Sequence, residues 1–270
     1  MNRIARTLLF VPGDRPERFD KAVATGADAV ILDLEDAVAP AAKLRARDAV
    51  AGWLGAGHSA IVRINAADTE WYADDLRMIQ GAAAATVMLP KADAASIART
   101  TGALPDRRVI ALLETVAGHM ELQALAAAPG LERIAFGSVD FAAESGIDDA
   151  GEAMTAIRVQ IVLASCHAGL PAPIDGISVE FDDAARMQAD ALRSRRLGFG
   201  GKLCIHPRQI GPVGTAFRPT AAELGWAQRV LAAFEASQGA ATSVDGKMID
   251  KPVVERARQI EAEGRLAGAA

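Results

Sequence analysis

The residues able to do chemistry in this chain sit at the ends of apolar runs. "AVILDLEDAV", residues 29–38, runs from a greasy stretch into Asp33, Glu35 and Asp36. "IVRIN" carries Arg63, "VMLPK" ends on Lys91, "LLET" holds Glu114 and "FGSVDF" holds Asp140. Glu114 and Asp140 each fall at or just past the end of a strand-like run, and the two runs are consecutive. Two hard oxygen donors so placed suit Mg²⁺, which takes one or two carboxylates and fills its octahedron with waters and substrate oxygens. Asp140 alone reads more readily as a solvated loop acid or a helix N-cap; it is the pairing with Glu114 that points to a metal. A buried Arg is uncommon unless paired, so Arg63 reads as a fork for a substrate carboxylate, as the partner of Asp33, Glu35 or Asp36, or as both.

Further cations lie close in sequence. Arg15, Arg18 and Lys21 follow the first apolar run at the start of a helical pattern, where backbone N–H groups favour an anion. A solvated helix end is the plainer reading of the same residues. The four histidines, His58, His119, His167 and His206, form neither an H-E-x-x-H pair nor a Ser-His-Asp order. His206, before Pro207, reads as structural.

These residues need a frame. Eight strand candidates, Thr7–Pro12, Ala29–Leu34, Ala60–Asn65, Thr86–Pro90, Arg108–Glu114, Arg133–Gly137, Gly176–Val179 and Lys202–Ile205, alternate with helical patterns. The helices are expected at Pro16–Thr25, Ala41–Leu54, Asp93–Thr101, His119–Ala127, Ala153–Ala168 and Asp183–Leu197. Strict alternation predicts a parallel sheet, and eight units in this length fit a (β/α)₈ TIM barrel better than an open sheet. No G-x-G-x-x-G follows the first strand, which removes the best support for a dinucleotide fold. A barrel of this kind gathers its chemistry at the C-terminal strand ends, where the residues above lie. Ser138–Ile147 and Gly169–Asp175 are expected as loops shaping the substrate pocket.

A C-terminal extension follows: a helix at Ala221–Ala236, a polar loop at Ser237–Lys247 and a last helix from Pro252 to Arg265. We take residues 1–236 as the barrel domain and 237–270 as a tail that could cap the barrel, pack on its outside or reach a neighbouring subunit.

Of the 270 residues, 51% are hydrophobic and 23% charged, enough for a large core, and aromatics are only 4%, so Ala, Leu, Val and Ile must build it. A net charge of −5 argues against general nucleic-acid binding, though a local basic pocket can still hold an anion. Cys166 and Cys204 read as reduced, semi-buried core thiols. No window approaches the roughly 18 apolar residues of a membrane span, and the N-terminus shows no secretory h-region, so a cytoplasmic protein is expected.

Taken together, "LLFVPGDRPERF", "VILDLEDAVAP", "VRIN", "MLPKAD", "LLETVAG", "FGSVDFAAESG", "GKLCIHPRQI" and "DGKMIDKPVVERA" resemble the citrate lyase β-subunit-like branch of the HpcH/HpaI aldolase family, in order and over nearly the whole chain. The resemblance implies a TIM barrel with Mg²⁺ (or Mn²⁺) on Glu114 and Asp140, and Arg63 on the carboxylate of a 2-oxo or 2-hydroxy acid. It implies coenzyme A contacts from Phe10, Arg15 and Lys21; Lys91, by its place after "VMLP", adds a cation to the same rim. Glu35 and Asp36 match acids that orient water and Arg63. Asp250, in "MID", is carried on a segment that completes a neighbouring subunit's site, which implies a homo-oligomer, a trimer or hexamer.

The chemistry so implied is cleavage or formation of the C–C bond in a hydroxyacyl-CoA such as malyl-CoA or citramalyl-CoA, giving acetyl-CoA and a 2-oxo acid, with Asp250 as acid/base. The rivals are a thioesterase on the same esters, a citrate lyase subunit acting on an acyl carrier protein, and a non-catalytic barrel that binds CoA esters. An aldolase without CoA fits less well, because its His base has no counterpart here.

Overall fold

A computed structural model describes residues 4–82 and 85–268, so the first three residues of the N-terminal stretch read above lie outside it. The described residues fall into two compact units, residues 4–214 and 215–268.

In the first unit eight parallel strands close into a barrel. They are β1 (Thr7–Pro12), β2 (Ala29–Asp33), β3 (Ala60–Arg63), β4 (Ala85–Leu89), β5 (Val109–Leu113), β6 (Leu131–Phe136), β7 (Ile174–Asp175) and β8 (Gly201–Cys204). Each pairs with the next, and β8 pairs with β1 through Thr7↔Lys202, Leu8↔Leu203 and Leu9↔Cys204. This is the expected (β/α)₈ TIM barrel. Alternation along each strand divides its side chains. Leu8, Ile31, Ile61, Met88, Ile110, Leu112, Ala135, Ile174 and Leu203 form one buried cluster in the lumen, while residues of opposite parity, such as Leu9, Val30, Val62, Val87, Ala111 and Ile134, are buried on the other face. Both faces are therefore apolar, as a parallel barrel requires.

The seventh strand departs from expectation. It is Ile174–Asp175 rather than Gly176–Val179, and its sequence, "PIDG", hides it behind a proline and a charge. Asp175 is buried on the outer face, where Arg158 Nε donates to Oδ1 at 3.0 Å, Ser194 Oγ donates to Oδ2, and Lys202 Nζ lies 3.9 Å away. Burial opposes this charge, yet Lys202 and Arg158 outweigh it and hold the carboxyl below its usual range. Gly176 follows the strand where no side chain fits, since a Cβ there would lie 2.4 Å from Ser138 Oγ.

Other differences are local. Ser138–Ser145 is a helix, not a loop, closed by left-handed Gly146, and the expected loop Gly169–Asp175 contains β7. A helix at Tyr72–Gly81, unforeseen, links β3 to β4. The stretch expected as one helix at His119–Ala127 is two short ones, Val116–Met120 and Leu122–Ala126. Cys204 is buried as expected, but Cys166 is exposed on the outer side of helix Glu152–His167.

The second unit has its own apolar core of Ala227, Val230, Val244, Ile249, Val254, Ala257 and Ile260. Helix Ala221–Ala236, started by a Thr220–Glu223 capping box, packs against helix Lys251–Gly268. Between them the expected polar loop holds a hairpin, β9 (Thr242–Val244) and β10 (Lys247–Ile249). Asp245 and Gly246 turn it with φ of 50° and 75°, as a two-residue Asp-Gly hairpin turn demands.

Candidate active site

Asp33, Glu35, Asp36, Arg63, Lys91 and Glu114 lie at the C-terminal ends of strands or in the turns after them, while Phe10 sits within β1 and Asp140 in the helix after β6. The centre is Arg63, last residue of β3 and buried. Its Nε and Nη2 donate to Asp33 Oδ1 and Oδ2 at 2.7 and 2.6 Å, a bidentate pair across adjacent strands β2 and β3. Nη1 lies 3.0 Å from Glu35 Oε2 and 3.7 Å from Asp36 Oδ2. The Phe10 ring lies 4.9 Å from the guanidinium carbon, a cation–π contact. Burial disfavours the Arg63 charge, but Asp33 first, then Glu35 and Glu114, reverse that and lock it on.

Asp33 holds more than Arg63. Its Oδ1 accepts the backbone N–H of Glu35 at 2.9 Å and its Oδ2 that of Ala37 at 3.2 Å. Behind this turn, buried Lys43 donates Nζ to the carbonyls of Leu34 and Glu35, both at 2.7 Å. Nothing in the sequence pattern marked Lys43, since its partners are backbone oxygens that every residue owns. Glu35 is buried by the turn, whereas the Asp36 side chain is 59% exposed.

Glu114, one residue past β5, is 2% exposed. Its Oε1 accepts the backbone N–H of Lys91 at 2.8 Å, while Oε2 is buried without a hydrogen-bond partner. Gly137, one residue past β6, makes room for this carboxylate: a Cβ there would lie 2.6 Å from Oε2. That requirement was readable only as a glycine following an apolar run. Glu35 Oε2 also lacks a hydrogen-bond partner, for Arg63 Nη1 approaches it without the necessary angle. Burial and the neighbouring Glu35 charge push the Glu114 carboxyl up to about 8. Burial, then Asp36, raises that of Glu35 against the pull of Arg63 and Lys91.

Asp140 occupies the first turn of helix Ser138–Ser145, exposed and close enough for its charge to act on Glu114. Two buried acids with orphaned oxygens and abnormally high proton affinity describe a place short of positive charge. With Asp140 adjacent, the oxygen-only donor set fits a hard dication held by Glu114 and Asp140. Among the described residues no group of three or more His, Cys, Asp or Glu side chains could hold a metal. Any ion here would therefore rely on substrate and water for its remaining positions.

The other expected residues spread outward. Lys91 reaches Glu35 Oε1 at 3.2 Å with its ammonium half exposed. Arg15 and Lys21 are exposed in the segment after β1, and Arg15 makes a loose 3.9 Å pair with Asp14. His206 caps the short helix after β8: its Nδ1 accepts the N–H of Arg208 and its ring stacks on Phe181 at 4.5 Å. Asp250 belongs to the second unit, where its backbone carbonyl accepts the N–H of Val254 at the start of the last helix.

A closed eight-stranded parallel barrel with acids and an arginine on its C-terminal rim defines a TIM-barrel protein of enzyme type. The HpcH/HpaI aldolase/citrate lyase family matches residues 6–207, and the chain belongs to that family. It is similar to a citrate lyase subunit beta-like protein of Mycobacterium tuberculosis, 40% identical over 92% of both chains. It is also similar to a (3S)-malyl-CoA thioesterase of Cereibacter sphaeroides, 36% identical over 98% of this chain and 96% of the other. An L-malyl-CoA/beta-methylmalyl-CoA lyase of the same organism is 30% identical over the same shares. Among solved structures, CitE from Mycobacterium tuberculosis in complex with magnesium, acetoacetate and coenzyme A superposes with a TM-score of 0.85 at 37% identity, covering 98% of this chain and 100% of that one. Among the described residues, no helix is long and apolar enough to cross a membrane.

Proposed function

We propose that this chain is a Mg²⁺-dependent lyase that cleaves or forms the C–C bond of a hydroxyacyl-CoA such as malyl-CoA or citramalyl-CoA, giving acetyl-CoA and a 2-oxo acid. The observation that carries the reading is the orphaned, buried Oε2 of Glu114, beside Asp140 and within electrostatic reach of Arg63. The relatives named for malyl-CoA chemistry, and the CitE structure holding magnesium and coenzyme A, support it.

Bound Mg²⁺, held by Glu114 and Asp140 (Mn²⁺ could replace it), would supply Lewis-acid polarisation of the oxo-acid oxygens. Arg63 grips the carboxylate of that unit, and Glu35 and Asp36 orient water and the guanidinium. In the cleavage direction the substrate hydroxyl loses its proton, the C–C bond breaks, and the thioester enolate that leaves is protonated at carbon. Asp250 from a neighbouring copy moves these protons in a homotrimer or a hexamer. Phe10, Arg15, Lys21 and Lys91 line the coenzyme side, where the three cations meet phosphate. A cytoplasmic location suits such a substrate, and neither nucleic acid nor membrane is a partner.

The test is product analysis by mass spectrometry, with Mg²⁺ and a panel of malyl-, citramalyl- and β-methylmalyl-CoA. Acetyl- or propionyl-CoA plus an oxo acid is the expected outcome. Free CoA plus the intact hydroxy acid would establish thioester hydrolysis instead, the reading favoured by the thioesterase's higher identity than the lyase's. Turnover only of a carrier-protein thioester would mark a citrate lyase subunit, and binding without turnover a non-catalytic barrel.

A further inference from the structure

Arg63 does not present a free guanidinium. Its side edge, Nε–H and one Nη2–H, is closed by Asp33, and its face lies against Phe10. Glu35 stands 3.0 Å from Nη1. A guanidinium has five N–H donors in a fixed plane, so one edge is left for a bidentate ligand: the Nη1–H and Nη2–H pair opposite Nε. We propose that Asp33 is a positioning residue that selects this edge and aims it at the substrate carboxylate. The inference rests on the reading of Arg63 as the carboxylate grip.

Asp33 is 1% exposed, and it accepts four hydrogen bonds: two from Arg63 and one each from the backbone of Glu35 and Ala37. A carboxylate has about four lone-pair sites, so Asp33 has nothing left with which to touch substrate and acts only through its partners. The same carboxylate fixes the fork that binds and the turn that carries Glu35 and Asp36. Charge alone would not serve, because the geometry of a bidentate pair sets a plane as well as a position.

The test uses Asp33→Asn in the full chain, with pyruvate as the probe in the presence of Mg²⁺, titrated calorimetrically. An Asn amide meets one Arg63 donor with an N–H instead of an oxygen, which opens the fork. Pyruvate affinity is expected to fall about tenfold or more, with Mg²⁺ affinity measured without pyruvate changed less than about threefold. In an Arg63→Lys background the same substitution should weaken pyruvate binding little further. Unchanged pyruvate affinity, equal losses for pyruvate and Mg²⁺, or full additivity with Arg63→Lys would overturn the proposal. So would a wild-type protein blind to millimolar pyruvate. Should Asp33→Asn fail to fold, Asp33→Glu keeps the charge and moves the fork by one methylene, and it should show the same selective loss; unchanged binding there also overturns the proposal. A wild type that binds pyruvate yet cleaves no hydroxyacyl-CoA would remove the lyase reading while leaving the role of Asp33 standing.

Discussion

Lys91 ties the two buried acids of the site together: its backbone N–H holds Glu114 Oε1 at 2.8 Å while its ammonium lies 3.2 Å from Glu35 Oε1. It does so with a φ of 49°, in the left-handed region that non-glycine residues rarely adopt. Such strain persists only where surrounding structure enforces it. The two functions separate by mutation. Lys91→Gly keeps the backbone shape and the Glu114 hydrogen bond, so thermal stability should stay near wild type. Lys91→Val adds a β-branched side chain at positive φ and should cost about 1–3 kcal/mol. Urea denaturation of both variants checks the difference, and equal stability would show that the backbone conformation is not enforced.

The raised Glu114 carboxyl makes the metal-free protein sensitive to pH in a defined direction. Its value of about 8 in the fold lies above the ordinary 4.5, so the folded state binds more protons than the unfolded chain between those limits. Stability contributed by this group therefore falls as pH rises from about 4.5 to 8. Glu114→Gln removes the penalty, so the variant should melt above wild type at pH 8 and lose that advantage near pH 5, with EDTA present in both. Wild type should melt higher when Mg²⁺ is added at pH 8, whereas the variant should not respond. A melting-point gap independent of pH would contradict the assignment.

Gly137 faces Glu114 so closely that an alanine Cβ would lie 2.5 Å from the Glu114 Cβ. Gly137→Ala must displace that side chain. Loss of the Mg²⁺-induced thermal shift in a protein with wild-type circular dichroism is the expected result.

Arg63→Ala would leave Asp33 buried without its cation and Glu35 with Lys91 alone, and removing the partner of a buried ion pair costs roughly 3–5 kcal/mol. Its denaturation midpoint should fall accordingly, with activity lost. Asp250→Ala should instead lower kcat by at least about a hundredfold while substrate still binds. Mixing subunits of the two variants should restore part of the activity, because one hybrid site in the proposed oligomer carries both intact residues. Exchanged subunits without recovery would refute sharing.

Most of the frame was legible because buried parallel strands announce themselves. β1 runs from Thr7 to Pro12 as its apolar composition predicts, and β2, β3 and β5 end within two residues of expectation. β7 was not legible, for its middle is an aspartate whose neutralising partners, Arg158, Ser194 and Lys202, come from elsewhere in the chain. The site divides in the same way. Arg63 and the acids stood out as charges inside apolar runs, and the pairing with Asp33 was foreseen as one alternative. The fork geometry, the left-handed Lys91 and the carbonyl-bound Lys43 depend on distances between strands that no linear pattern encodes.

The two-residue β7 gives the barrel a seam. One register pair joins it to β6 and two join it to β8, against five between β1 and β2. Closure on that side is delegated to side chains around Asp175 rather than to the backbone ladder. The carbonyls of Ala172 and Pro173 hold Arg133 and Gly200, so a reporter domain inserted on this flank would best enter earlier, in the exposed stretch Ala168–Gly169, where few bonds would be lost.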